Sequence, residues 1–148
     1  MERPFVAENA KERERLRVLT ERLTEEELSL PLENGWTVAV VLAHLSFWDQ
    51  RSFFLVRKWK KGGVEPSPID IDITNDSLLS QWLATSPREG ANLAISSAEA
   101  IDRELEEASP DFIAEIESLG EKFRLYRSIH RKLHLDQIEE FLGSKDKS

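Results

Sequence analysis

The chain is 148 residues long, 40% hydrophobic and 32% charged, with a net charge of -8 and no cysteine. That length suits one domain, 1–148, able to bury a continuous core without disulfides or a structural metal, and the missing thiols exclude disulfide frameworks, cysteine ligands and cysteine nucleophiles. The acidic balance disfavours nucleic acid and anionic lipid as partners. No run approaches the roughly 18 apolar residues of a membrane span and the N-terminus lacks an apolar signal core, so a cytoplasmic protein is expected.

From Phe5 to Leu23 helix formers combine with Leu16, Val18, Leu19 and Leu23 at recurring positions, which predicts a first amphipathic helix. Thr24 and Glu27 have the spacing of a capping box and open a short helical turn. The second long helix follows the Asn34-Gly35 loop, with Trp36 as a hydrophobic staple for Val41 and Thr37 as N-cap, and should run to Lys61 before Gly62-Gly63 stops it. Its body, VAVVLAHLSFWDQRSFFLVRKW, is apolar on more than one face, as in a helix packed on several neighbours or at a dimer contact.

Residues 62–73 hold two glycines, two prolines and the alternating IDIDI. Extended, twelve residues reach roughly 40 Å, about the length of the helix before them at ~1.5 Å per residue, so the chain can return along the molecule and start a third long helix parallel to the second. Thr74 or Asn75 is placed to cap a helix through DSLLSQWLAT, and Ser86-Pro87-Arg88-Glu89 combines an N-cap, a first-turn proline and a capping-box glutamate for a helix ending near Ala108. Ser109-Pro110 repeats that signal for a short piece before Gly120. The final helix is expected from Glu121 to Leu142, with Phe123, Ile129, Leu133, Ile138 and Phe141 as its apolar positions, Gly143 as its C′ residue, and Ser144–Ser148 frayed. The sum is an all-α four-helix bundle with short accessory turns.

His130 and His134 stand one turn apart on one face of that last helix, a spacing with which two imidazoles can grip one divalent ion, and which solvated helix surfaces also carry. The third histidine, His44, sits in strongly apolar surroundings near the start of its helix. It is either a buried ring satisfied by a local acceptor or a third ligand. His44 lies about 9 Å from the start of its helix and His134 about 12 Å from the end of the last, so antiparallel packing puts the two rings at similar depth, while parallel packing brings His130 near that level, and depth does not decide between them. Three imidazoles on two helices leave coordination positions open, as catalytic sites do, and zinc and nickel both suit them.

Around these histidines, Tyr126 is a candidate general acid one turn before His130, against the preferred reading of a packing residue. Arg127 and Arg131 are candidates for a substrate carboxylate, against that of an ion-paired surface. Asp49, five positions after His44, is expected at the surface. Asp70, Asp72, Asn75 and Asp76 lack the glycine and closing glutamate of a calcium loop, and Asn75 is read as a cap.

NGWTVAVVLAHLSFWD and HRKLHLDQIEEF resemble the two histidine-bearing segments of the DinB-like metal-binding helical bundles, a family that includes bacillithiol S-transferases and the metal-binding domain of mycothiol-dependent maleylpyruvate isomerases. The likeness runs from roughly Val6 to Leu142 and includes ITNDSL after the crossover. It implies an up-down-down-up four-helix bundle with a long crossover between helices 2 and 3, a divalent metal, zinc or nickel, held by His44, His130 and His134, and frequent homodimers. The C-terminal domain of the maleylpyruvate isomerases has no counterpart here, so that activity is not expected. The functional expectation is a metal-dependent enzyme acting on a small molecule, in which the ion activates water, as in a hydrolase, or a low-molecular-weight thiol supplied as cosubstrate, as in an S-transferase. The competing expectations are a noncatalytic, dimeric metal- or ligand-binding bundle, or three unrelated histidines.

Overall fold

A computed structural model describes residues 3–146. Among them are seven α-helices, α1 (Pro4–Arg22), α2 (Glu25–Leu28), α3 (Val38–Gly62), α4 (Ile71–Ala84), α5 (Pro87–Glu107), α6 (Pro110–Glu117) and α7 (Ser128–Asp146), with one 3-10 turn at Gly120–Lys122 and no strand. No described helix is long and apolar enough to cross a membrane.

Local chemistry sets most of the boundaries. The Thr24–Glu27 capping box forms in both directions and starts α2. Thr37 accepts from Val40 N to start α3, and an isolated bridge between Pro31 and Thr37 holds the entry loop. Gly63, at φ 96°, ends α3 in a conformation that L side chains rarely adopt. Ser109 caps α6 through Phe112 N.

The four long helices α1, α3, α5 and α7 pack in a ring, α3 most extensively on α5. Small residues line that seam: Ala39, Ala43, Ala91, Ala94 and Ala98 are all at least nine-tenths buried, and a Cβ on Gly90 would sit 3.5 Å from Ala39 O. One core cluster joins Leu16, Leu19, Leu42, Leu45, Leu135 and Ile138. A second joins Phe5, Val56, Trp59, Ile101, Leu105 and Ile116. Each such aliphatic side chain contributes roughly 1.5–3 kcal/mol on burial.

Several expectations need correction. The helix after the crossover begins at Ile71, three residues before Thr74, because Asp70 Oδ1 accepts from Ile73 N and is the cap in place of Thr74 or Asn75. The alternating IDIDI is therefore half helix, and the connection without regular structure shortens to 63–70. Ser86 makes no side-chain cap bond, so the capping box expected with Glu89 does not form, although Pro87 does open α5. Val18 is exposed.

The largest departure concerns the last helix, which starts at Ser128 and not at Glu121. Asn9 of α1 explains the delay: its Nδ2 donates to Leu125 O (2.9 Å) while its Oδ1 accepts from Ser128 N (2.8 Å). These buried backbone groups are satisfied by a side chain from another helix, so they need no helix of their own. The resulting orientation leaves Ile129 and Leu133 half-exposed and turns Arg131, Leu135 and Ile138 inward. Helix α7 also continues through Gly143 to Asp146, so neither the stop at Gly143 nor fraying from Ser144 holds there; the rest of that stretch lies outside the described residues.

Candidate metal centre

His44 lies in the second turn of α3, oriented by the Thr37 cap, and His130 and His134 occupy successive turns of α7. The Nε2 atoms of His44 and His130 are 2.9 Å apart, and those of His130 and His134 are 3.2 Å apart. One ligand atom from each of the three histidines falls within 4.8 Å of the others. Tetrahedral coordination at ~2.05 Å separates nitrogen ligands by about 3.3 Å, a spacing close to those two Nε2 distances.

The electrostatics favour the same use. Burial, followed by the positive potential of a protonated His134, pulls the His44 pKa down from 6.5 to about 4. Burial lowers His130 further, with His134, His44, Arg127 and Arg124 adding to it. His134 is lowered by burial against an opposing hydrogen bond to Gln137. All three imidazoles are therefore neutral near pH 7, the form that binds a metal.

The surroundings are asymmetric. The His44 ring, 5% exposed, has the indoles of Trp36 and Trp82 edge-on to it at 5.2 and 5.6 Å, while His130 and His134 retain partial exposure. Gln137 Oε1 lies 2.9 Å from His134 Nδ1, which places that ring's proton on Nδ1 and frees Nε2 for the cluster. His44 Nδ1 is buried without a partner, an arrangement that costs about 1–3 kcal/mol. The donor set, its neutrality and its convergence fit a divalent cation.

The other candidates fall elsewhere. Arg131 is fully buried and binds Asp102 at 2.9 Å through two nitrogens and Asp49 at 3.1 Å, with further bonds to the carbonyls of Asn9 and Ala98. Its donors are consumed inside the protein, so it does not reach a substrate carboxylate. Arg127 donates to Asp49 Oδ1 at 3.0 Å and stacks over Phe123. Asp49 is 2% exposed, against the expected surface position. Tyr126 precedes α7, so the helical relation to His130 is absent; its ring meets Phe5 edge-on and lines a cavity of about 940 Å³ with Ile113, Phe123 and Ile129 that none of the histidines touches.

Sequence reasoning missed Gln137, Asp102, Asn9 and Trp82. Gln137 was findable, standing three residues after His134 on a helix. The others come from helices whose pairing no local pattern specifies.

A family model described as the DinB superfamily matches residues 8–137, a span containing all three histidines. No curated protein and no solved structure matches the chain.

Proposed function

The chain belongs to the DinB superfamily, and from that premise we propose that it is a metal-dependent enzyme in which His44, His130 and His134 hold a zinc or nickel ion and a low-molecular-weight thiol or a water attacks a small electrophile. The observation that carries this reading is the convergence of three neutral Nε2 atoms on the partly exposed side of a buried ring. A divalent ion held there supplies the charge that lowers the pKa of a thiol or water reaching it. Trp36 and Trp82 keep water from the His44 side, and Gln137 keeps His134 in its ligating tautomer. With no cysteine in the chain, thiol transfer requires an external thiol. Arg131 and Tyr126 take no part in this scheme, and Arg127 is held by Asp49.

We read the chain as one domain whose long helices follow an up-down-down-up order, with the loop 63–70 and α4 as the crossover. The contacts support this. From α3 to α5 they ascend together, Ser46 with Ser97 and Lys60 with Glu104, and from α1 to α7 likewise, Asn9 with Ser128 and Arg15 with Asp136. From α3 to α7 they run in opposite senses, His44 meeting His130 and His134 and Asp49 meeting Arg127 and Arg131. A homodimer is part of the proposal, with exposed Phe54, Ile71 and Ile73 as apolar surface for such a contact.

The test is to load the protein with cobalt(II) and titrate it with small thiols and with azide while recording the visible spectrum. Saturable changes that also require His44 support an open catalytic site. A spectrum insensitive to every added ligand favours a closed, noncatalytic metal-binding protein.

A further inference from the structure

A neutral imidazole that ligates through Nε2 carries its proton on Nδ1, and ligating histidines ordinarily give that N–H an acceptor. Gln137 provides one for His134. His44 Nδ1 is buried and has none. Trp48 stands one turn beyond His44 on α3, and its Nε1 donates to Asn75 Oδ1 of α4 at 3.0 Å. The Asn75 carboxamide also lies close enough to the His44 ring to interact with it. Asn75 is half-buried, and it is released from capping because Asp70 caps α4. A carboxamide oxygen has two lone pairs, of which Trp48 occupies one.

We propose that Asn75 is a positioning residue for His44: its Oδ1 accepts the Nδ1–H of His44 when the cluster holds a divalent ion, and so fixes the tautomer that turns Nε2 toward His130 and His134. This rests on the metal-binding reading above. The second lone pair of Oδ1 lets the carboxamide take this bond while the Trp48 bond is kept. The chain Trp48–Asn75–His44 then ties the crossover helix α4 to the metal centre, and whatever displaces α4 loosens one ligand of the three.

The experiment compares wild type, Asn75→Ala and Asn75→Asp. Alanine is the better helix former, so the first variant should fold. Zinc affinity is measured by chelator competition, and histidine tautomers by ¹⁵N–¹H NMR. Asn75→Ala is expected to bind zinc 10–100-fold more weakly, with a shifted His44 Nδ1–H resonance and an unchanged His134 resonance, while Asn75→Asp, which keeps an acceptor, recovers the affinity. Equal affinity in the alanine variant overturns the proposal, as does a loss without any change at the His44 resonance. If the wild type takes up no zinc, the functional reading fails and the Asn75 proposal, which rests on it, falls with it; equal zinc affinity in wild type and Asn75→Ala overturns the Asn75 role alone.

Discussion

Two polar clusters lie one turn apart between α3 and α7, and they are built on opposite rules. In the first, the neutral rings of His44, His130 and His134 meet through their Nε2 atoms, and one ring nitrogen has no partner. In the second, Arg131 is saturated by Asp49 and Asp102, Arg13 reaches Asp102 at 2.6 Å, Arg127 reaches Asp49, and the carbonyl of Asn9 completes the shell. This network touches α1, α3, α5 and α7. His130 and Arg131 are neighbours in sequence, yet one faces a cluster left incomplete and the other a cluster that is closed. A buried polar site with an unpaired nitrogen retains capacity to bind, whereas a saturated one serves the architecture.

The contrast is broken most severely at Arg131. Arg131→Met removes the cation between Asp49 and Asp102, leaving these buried carboxylates only Arg127 and Arg13 at the edge of the network, and should cost about 3–5 kcal/mol in a denaturant titration; a loss under 1 kcal/mol would mean that the network carries little of the fold. Acid should act on the other cluster. With His44 held near 4 in the folded protein against 6.5 when free, the unfolded chain binds the extra proton. The stability of the metal-free protein is then complete above about pH 6.5 and declines toward pH 4, by at most about 1.4 kcal/mol per pH unit for each such histidine. Melting curves over that range should be visibly flatter for His44→Ala. Gln137→Ala, which frees the His134 tautomer, should weaken zinc binding about tenfold by chelator competition, the lower end for such supporting groups, and leave the metal-free melting point unchanged. The smallest effect is expected for His130→Ala without metal: its side-chain partners are the other two imidazoles, so its removal should shift chemical stability by less than about 1 kcal/mol, in contrast with its neighbour Arg131.

The capped helices were legible in sequence because their signals are local. Thr24, Thr37, Pro87 and Ser109 act on residues within one turn, and the matching helices start where those residues place them. The three histidines were legible because two share a helical period and the third stood alone in apolar surroundings. The late start of α7 was not, since its cause is Asn9, 119 residues earlier in the chain. For the same reason Ile129 and Leu133 seemed to mark the inner face, when the inward positions include a fully buried arginine whose counter-ions come from α3 and α5. Periodicity reports which residues share a face, and it identifies the core face only while hydrophobicity decides burial. Here an ion network decides it.

The most direct test is elemental analysis of protein purified without a metal-binding tag, beside His44→Ala and His130→Ala variants. Near-stoichiometric zinc or nickel in the wild type, absent from both variants, is the predicted result. Wild-type protein that stays metal-free after incubation with either ion would contradict the account.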